Sequence, residues 1–478
     1  MFMRPLLAIQ EATRLNLPPE KLYFGQFIIN GDPTPPFDGY VTRALCGRFM
    51  HFCPTLDLCE IRKADGTVIA LLLGHALDEN GRGLKAAHVL DMPRNTRTDR
   101  AIEAFLTGIT GRYIMLASHG GSPCLYTDAV GEMGVVYDTT TGVAGSTLPM
   151  ILDRKIEDRA DLNHDAVLES LGHYALGYTR DIHCERLHPN HRLDLEGMHQ
   201  SRFWPRDDAP WTEAANLPFD TMIEELIGIL RRNTIGFLGL KPSVFPLSGG
   251  QDSRMLIAAA RDYVHQASAV FGMEHNKASQ QDCAVGAEVA GRLGLDYWRI
   301  KAPGLRRWGH RAFHARVGYL ANSGGTGSVR HTQRLPEGHL VIRGNVFGLT
   351  RANDWGRARR AKAWDDVPFG MHRLKMGAAI SQTLRPADLE ARYLAWRDSL
   401  PGAVRERCHD LSFCENYLPN SLGARNYAYT NVFHVNPFAS RRAITLVSAV
   451  DPQLRKENRI NQAMLAATAA DLADIDFV

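Results

Sequence analysis

Short apolar runs of strand length dominate the first two hundred residues of the chain. They lie at 68–73, 112–117 and 134–137, and clusters of Gly, Asp, Asn and Ser separate them. Such runs between turn residues predict β-strands. Two stretches with helical spacing, 100–107 and 166–177, interrupt the strands. The pattern therefore predicts an α+β unit.

A different pattern begins at about residue 210. Apolar positions recur at helical spacing in 222–230 and 282–293, and runs typical of buried strands occupy 267–271 and 297–300. This alternation predicts an α/β unit built on a doubly wound parallel sheet. A chain of 478 residues with 45% hydrophobic composition can bury more than one core. We therefore predict two domains, 1–207 and 208–478.

The stretch 244–254 joins a strand to a helix through two glycines. Phe245 and Leu247 close the strand, and the apolar positions that begin at Met255 recur at helical spacing. Ligands of parallel sheets bind at the carboxyl ends of the strands, where this turn is expected. Gly249 and Gly250 can take positive φ and let the backbone approach a ligand.

These residue types predict a phosphate-binding loop. Free N–H groups at the start of a helix attract phosphate oxygens. The Ser248 and Ser253 hydroxyls add donors, and Asp252 can hold the Mg²⁺ that accompanies a triphosphate. The alternative is an ordinary turn with a helix cap at Asp252 or Ser253. The candidate residues for ATP and pyrophosphate are Leu247, Ser248, Gly249, Gly250, Gln251, Asp252 and Ser253.

The order Ser-Gly-Gly-x-Asp-Ser resembles the pyrophosphate loop of the asparagine synthetase-like family. The resemblance implies an ATP-pyrophosphatase domain that uses ATP and Mg²⁺ to adenylate a carboxylate and then forms an amide. The chain lacks the Gly-x-x-x-x-Gly-Lys-Ser/Thr pattern, which disfavours γ-phosphoryl transfer. Segments in the first half resemble the family's glutaminase domain, an Ntn-hydrolase-like sandwich: 111–116, 125–131, 135–137, 187–195 and 202–205.

The resemblance also assigns expected roles beyond the glycine loop. Phe271 and Gly272 end the strand where the family places adenine contacts, and simple strand termination is an equal alternative. Asp282 either contacts ligand or caps a helix, with capping favoured. Segment 339–351 corresponds to an acidic turn of the family that supplies a second Mg²⁺ carboxylate. Its strand and Gly344 remain in this chain.

The carboxylates of that acidic turn are absent. Asn345 and Gly348 stand in their places, and Asp354 is a possible substitute, although a lone aspartate is usually solvated at the surface. Segments 436–442 and 455–465 resemble the family's C-terminal helices, and the chain ends at Val478, at or before a further lysine of the family. Lys456 and Arg459 are therefore the candidate catalytic cations, each also readable as an exposed helix residue.

One departure concerns the nitrogen source. The family's glutaminase uses a cysteine at the mature N-terminus, whereas this chain has Phe2 there and its first cysteine is Cys46. We expect a degenerate glutaminase domain and a small-molecule or peptide carboxylate that carries its own amine, as in β-lactam synthetase and lasso-peptide cyclase. Partner proteins of a biosynthetic pathway are a further expectation. The alternative is a nucleotide-binding pseudoenzyme or assembly protein without catalysis.

Composition and charge limit the classes of partner and the location that we expect for this chain. The 55 basic and 52 acidic residues give a formal charge of +3, which predicts no nucleic-acid partner. A basic cluster of Arg351, Arg357, Arg359, Arg360 and Lys362 could bind pyrophosphate, although solvated helix faces are commoner. No apolar run is long enough to span a membrane, and no signal peptide is evident, so a cytoplasmic location is expected. Eight scattered cysteines predict reduced thiols without a zinc site.

Overall fold

Two largely antiparallel sheets form the first part of the computed structural model, which describes residues 5–92, 96–169, 172–301, 306–356, 363–381, 383–472 and 474–477. One sheet has the order β11-β9-β10-β1-β3-β2 and the other the order β13-β12-β8-β7-β5-β4-β6. Their strands are β1 Phe27–Asn30, β2 Val41–Leu45, β3 Arg48–Phe52, β4 Leu58–Arg62, β5 Val68–Leu77, β6 Ala86–Val89, β7 Thr110–His119, β8 Ser122–Thr127, β9 Val136–Asp138, β10 Val143–Gly145, β11 Cys184–Arg186, β12 His191–Asp194 and β13 His199–Arg202.

The two sheets share a core. Alternate side chains of β1, such as Phe27 and Ile29, pack with alternate side chains of β5 and β7, such as Leu73 and Ile114. Because successive side chains of a strand point to opposite faces, this alternation places one face of each sheet inside a sandwich. The helices of this part are α1 Leu6–Leu15, α2 Pro19–Leu22, α3 Thr98–Gly108, α4 Leu148–Ile151 and α5 His164–Glu169.

A five-stranded parallel sheet forms the core of the second part. Its strands are β14 Ser243–Pro246, β15 Ala269–Glu274, β16 Tyr297–Lys301, β17 His339–Ile342 and β18 Val432–Val435, and every pair is parallel. The order is β16-β15-β14-β17-β18. The chain therefore moves outward from β14 to β16 and then returns to the other side of β14. Such a reversal creates a crevice at the carboxyl ends of the two adjacent strands, here β14 and β17.

Helices surround this sheet. The α-helices are α6 Ala209–Ala215, α7 Phe219–Leu240, α8 Gln251–Ala259, α9 Lys277–Arg292, α10 Arg307–Arg316, α11 Thr326–Thr332, α12 Val367–Arg373, α13 Leu389–Asp398, α14 Gly402–Arg405, α15 Cys408–Ser412, α16 Ala424–Asn426, α17 Arg441–Ala449, α18 Pro452–Lys456 and α19 Arg459–Ala469. Short 3-10 helices are Val264–Gln266, Ser323–Gly325, Asn345–Arg351, Asn353–Trp355, Ala363–Asp365, Gly377–Ala379 and Ala470–Leu472, and π-helical turns are Phe413–Tyr417 and Pro419–Gly423.

The sequence pattern predicted some of these elements. The predicted mixed α and β architecture and the strand and helix alternation between 222 and 300 are confirmed. The predicted helix at 166–177 is wrong for 172–177, where Leu176 takes a φ of +53° and its N–H donates to Asn416 Oδ1 at 3.0 Å. The predicted boundary at residue 207 falls between β13 and α6 and stays a prediction.

Buried polar contacts connect the sandwich to the parallel-sheet part. Arg441, at the start of α17, is 1% exposed, and its Nε donates to Asn190 Oδ1 at 2.9 Å. Asn426 Nδ2 donates to the carbonyl of Glu132 at 3.0 Å. These contacts hold the two parts in one arrangement. Among the described helices, none is both long and apolar enough to cross a membrane.

Candidate functional site

The glycine loop lies where β14 ends, beside the reversal of strand order. Two contacts extend the strand by one residue: Leu247 N–H donates to the carbonyl of Phe271 at 2.8 Å, and the Tyr297 hydroxyl donates to the carbonyl of Leu247 at 2.8 Å. The chain then turns through Ser248–Gly249–Gly250 and enters α8 at Gln251. The predicted order of strand, loop and helix is therefore confirmed.

The start of α8 differs from the prediction in two respects. The residue that caps the helix is Gly250, and no side chain accepts a hydrogen bond there, so capping by Asp252 or Ser253 is wrong. Gly250 has a φ of −79°, which an L-residue can adopt, so the expected positive φ is wrong at this residue. The uncapped first turn leaves backbone N–H groups available to an anionic ligand.

Loop donors are partly engaged inside the loop. Ser248 N–H donates to Ser253 Oγ at 3.1 Å, and Gly250 N–H donates to Ser248 Oγ at 3.2 Å. Gly249 N–H donates to Asp282 Oδ1 at 2.8 Å. Each of these donors has an oxygen acceptor within the protein, which a phosphate oxygen would have to replace.

Asp282 therefore contacts the loop through its side chain and does not cap a helix. It lies inside α9, whose cap is Asn276: Asn276 Oδ1 accepts from Ser279 N–H at 3.0 Å, and Ser279 Oγ accepts from Asn276 N–H at 2.9 Å. The favoured capping role of Asp282 is wrong. An incoming phosphate oxygen would compete with the Asp282 carboxylate for the Gly249 N–H.

Asp252 forms a two-point ion pair with Arg351. Arg351 Nη2 lies 3.1 Å from Asp252 Oδ2, and Arg351 Nη1 contacts Asp252 Oδ1. The two side chains are 33% and 30% exposed, so the pair is half-buried. Arg351 ends the segment after β17, and the ion pair therefore crosses the crevice between β14 and β17.

The predicted metal ligand is thus neutralised by a guanidinium. Among the described residues, no group of three His, Cys, Asp or Glu side chains could hold a metal ion. Mg²⁺ commonly uses only one or two protein carboxylates and takes its remaining oxygens from phosphates and water. The donor set at Asp252 fits Mg²⁺ on that condition, when the ion arrives with a triphosphate.

Gly344 brings the segment after β17 into contact with the loop. A Cβ at Gly344 would lie 3.0 Å from the Asp252 carbonyl oxygen and 2.7 Å from the Phe347 ring. Asn345 is exposed, whereas Gly348 is buried against Phe413. The absence of a side chain at Gly344 permits this close approach of the two loops.

Asp354 is buried, so its predicted solvation is wrong. It is 2% exposed, and its Oδ1 lies 3.0 Å from Lys375 Nζ and 3.5 Å from Arg373 Nη2. Burial raises the pKa of Asp354, against the opposing effect of Lys375. Asp354 was the candidate substitute for the carboxylates of the acidic turn. Its carboxylate is instead paired with these two cations.

The C-terminal helices reach the site through α19. Helix α19 packs against α8, and Asn461 Nδ2 donates to Gln251 Oε1 at 3.2 Å. Both candidate cations lie in this region. Lys456 is half-buried, and burial with nearby Arg455 lowers the pKa of its ammonium. Arg459 is exposed. Their predicted catalytic roles stay predictions.

Arg254, in helix α8, contacts the loop and was not singled out by the sequence pattern. It is 1% exposed, and its Nη2 donates to the Gly249 carbonyl at 3.3 Å while its Nη1 donates to the Ile475 carbonyl at 2.6 Å. The guanidinium also lies over the Phe477 ring at 4.2 Å. An arginine on the inner face of an amphipathic helix was the available signal, because a buried cation needs partners.

Phe271 and Gly272 lie beside the loop and support it through Leu247 and Tyr297. The Phe271 ring is 1% exposed in a cluster with Val244 and Ile300, so it is not available to stack on adenine. A Cβ at Gly272 would lie 2.0 Å from the Tyr297 hydroxyl oxygen, the group that donates to Leu247. The adenine contacts predicted for these two residues stay a prediction.

Gly272→Ala is expected to destabilise the protein by about 1–3 kcal/mol, because the new methyl group displaces Tyr297 from Leu247. The thermal midpoint should fall by roughly 2–10 °C. The matched control is Gly291→Ala in α9, where a Cβ meets nothing within 4 Å and the replacement should be neutral or stabilising. Equal midpoints for the two variants would contradict this account of the loop support.

Two parts of the expected site lie outside the described residues. These are Phe2 and the basic residues at 357–362.

A search of protein-family models finds no match to this chain, and a search of curated proteins finds none either.

Proposed function

We propose that the chain is an ATP-dependent, AMP-forming amide ligase with an ATP-pyrophosphatase domain at 208–478 and a degenerate Ntn-hydrolase-like glutaminase domain at 1–207. One observation carries the proposal. The Ser-Gly-Gly-x-Asp-Ser loop lies at the carboxyl end of β14, at the reversal of strand order, with the uncapped amino terminus of α8 behind it. This is the place on a parallel sheet where nucleotides bind.

The loop residues divide the binding of pyrophosphate between them. Backbone N–H groups of Gly249 and Gly250 and the hydroxyls of Ser248 and Ser253 would donate to the β and γ phosphates in place of their present acceptors. Asp252 would hold Mg²⁺, which would supply positive charge to stabilise the leaving pyrophosphate. In this proposal Mg²⁺ would replace Arg351 as the partner of the Asp252 carboxylate when the nucleotide binds.

The reaction has two steps. An oxygen of the substrate carboxylate attacks the α-phosphorus, and the bond to the bridging oxygen breaks to release pyrophosphate. An amine then attacks the acyl carbon, loses a proton and displaces AMP. Lys456 and Arg459 are the proposed cations near the second step, since α18 and α19 both contact the segment that ends at Arg351.

The amine belongs to the substrate in this proposal. Seven of the eight cysteines are buried. Burial raises the pKa of Cys59 to about 11 and the pKa values of Cys124 and Cys408 to about 12, which disfavours the reactive thiolate at these positions. The proposed substrate is a small molecule or peptide that carries both the carboxylate and the amine. Holding both groups together lowers the entropic barrier.

A second candidate function is a nucleotide-binding protein without ligase activity. The observation that favours it is the pairing of Asp252 with Arg351, together with Asn345 and Gly348 in place of the acidic turn. Such a protein would bind ATP at the same loop without releasing pyrophosphate.

Exchange of labelled pyrophosphate into ATP distinguishes the two functions. The assay should use the full chain, Mg²⁺ and a panel of carboxylic acids that includes peptides with acidic side chains. A ligase gives exchange that depends on both Mg²⁺ and one class of acid. Saturable ATP binding with no exchange for any acid would favour the binding protein and refute the ligase.

A further inference from the structure

A second cavity lies between the sandwich and the parallel sheet, away from the glycine loop. Its volume is about 200 Å³. Lys241 precedes β14, Gly338 precedes β17, and Val432 begins β18, and all three line the cavity. The cavity therefore lies at the amino ends of the parallel strands, whereas the glycine loop lies at their carboxyl ends. The sandwich supplies the opposite wall through His75 and Arg112.

Arg112 is the unusual residue of this wall. It is 2% exposed, and its Nε atom is buried without a hydrogen-bond partner among the described residues. Its guanidinium lies 4.0 Å from the centroid of the Phe433 ring and 5.7 Å from that of Tyr427. Aromatic faces attract a cation but accept no strong hydrogen bonds. Buried guanidinium groups are normally paired, and in the described part of the chain the Nε–H of Arg112 is left without an acceptor.

The two acids that act on Arg112 through their charge form their close contacts with other groups. Asp128 accepts N–H bonds from Val130, Glu132 and Met133 at 2.8–3.2 Å. The Glu132 carboxylate lies 3.5 Å from Arg343, and burial raises the pKa of Glu132 to about 7. Neither group is among the residues that line the cavity, and the carboxylate that does line it belongs to Glu337, which is exposed to solvent. Their charges act on Arg112 only at a distance.

The other basic side chains that line the cavity do not offer a free charge, since burial lowers the pKa of His75 and Lys241 forms an ion pair. Lys241 Nζ lies 2.9 Å from Asp57 Oδ2, and His75 Nδ1 lies 3.2 Å from the same oxygen. His75 is the cross-strand neighbour of Arg112, because β5 and β7 pair these two residues. Arg112 is therefore the lining cation whose charge is left for a ligand in the described part of the cavity.

The aromatic lining of the cavity favours a ligand with an apolar body. Phe24, Tyr427, Tyr429 and Phe433 give it aromatic sides. A volume of about 200 Å³ corresponds to roughly seven water molecules at about 30 Å³ each, enough for a ligand of about ten heavy atoms. An inorganic phosphate or sulfate has no apolar body, so it would leave these aromatic sides without a matching apolar partner.

We infer that this cavity binds a small monocarboxylate with an aromatic-sized apolar body, its carboxylate on the Arg112 guanidinium and its body against Phe433 and Tyr427. The inference does not depend on the ligase proposal, because the cavity and the glycine loop lie at opposite edges of the sheet. A ligand there contacts both parts of the chain and should strengthen their association.

Benzoate is the probe for this site, measured by isothermal titration of the full chain. We expect saturable binding of one benzoate per chain and at least tenfold weaker binding of benzamide, which has the same shape without the charge. Arg112→Met should lower benzoate affinity roughly 10- to 100-fold, because it removes charge-assisted hydrogen bonds. Arg231→Met is the control, since Arg231 is 47% exposed and pairs with Asp262 outside the cavity.

Arg112→Met should fold, because it replaces a buried cation by an apolar chain of similar length. Arg112→Lys keeps the charge without the planar fork and should bind benzoate with intermediate affinity. In the wild type, benzoate should raise the thermal midpoint and benzamide should not. Absence of saturable benzoate binding, equal binding of benzamide, unchanged affinity in Arg112→Met, or tighter binding of sulfate would each overturn the inference.

Discussion

Asp252→Asn is expected to lower the rate of ATP–pyrophosphate exchange by about 100-fold or more. The replacement keeps the size of the side chain and removes the charge that Mg²⁺ requires. A metal ion at phosphate oxygens contributes several kcal/mol to stabilisation of the transition state, and each 1.36 kcal/mol is a factor of ten in rate. The measurement is the initial exchange rate at saturating ATP, with the binding of ATP measured separately.

The ion pair with Arg351 gives Asp252→Asn a second possible effect, loss of a partner for the guanidinium. The double variant Asp252→Asn/Arg351→Met separates the two. If Asp252 serves only to neutralise Arg351, removal of both groups should return exchange to near the wild-type rate. If Asp252 holds the metal, the double variant should remain as slow as Asp252→Asn, and this is the result we expect.

Asp262→Asn is the matched control for the same chemical change. Asp262 is 65% exposed and pairs with Arg231 at 2.9 Å on the surface. Its exchange rate should stay within about twofold of wild type, because surface substitutions away from special features have small effects. A similar loss in Asp262→Asn would point to a general effect on the fold and remove the support for a metal ligand at Asp252.

The fold could be predicted where local pattern decides the structure. The strands β5 and β7 and the helices α3, α7 and α9 combine long apolar runs with clear turn signals, and the structure places them where the sequence predicted. The helix predicted at 166–177 failed because Leu176 is held in a left-handed conformation by Asn416, 240 residues away. A contact of that separation leaves no local signal.

The same limit applies to the candidate site. The strand, loop and helix of the glycine loop follow from adjacent residues and could be predicted. The partners of its charged groups could not, because Arg351 is 99 residues from Asp252 and Asp282 is 33 residues from Gly249. Asp354 was expected at the surface and is buried, because Arg373 and Lys375 return to it from α12 and the turn that follows.

Asp410→Asn is expected to destabilise the parallel-sheet part by about 3–5 kcal/mol. Arg455 is fully buried, and its guanidinium donates to both oxygens of Asp410, which is 2% exposed, at 2.8 and 2.7 Å. Trp355 Nε1 donates to the same carboxylate at 3.0 Å. Removal of one partner of a buried ion pair leaves an uncompensated charge in a low-dielectric interior, which accounts for the size of the effect.

The effect should extend to nucleotide binding. Arg455 Nη1 also donates to the Leu349 carbonyl at 2.9 Å, so the ion pair holds the segment that presents Arg351 to Asp252. The thermal midpoint should fall by roughly 10 °C, and ATP affinity should fall with it at a temperature where the variant is folded. Asp262→Asn again serves as control, because an exposed pair contributes at most about 1 kcal/mol.

The variant Asp410→Leu/Arg455→Met tests whether charge or packing dominates this site. It replaces both ions by apolar side chains and should recover much of the stability that Asp410→Asn loses, because buried ion pairs often contribute little more than apolar residues of similar volume. It should not recover ATP affinity, since Arg455→Met removes the hydrogen bond to the Leu349 carbonyl. A double variant as unstable as Asp410→Asn, or one that binds ATP normally, would contradict the positioning role of Arg455.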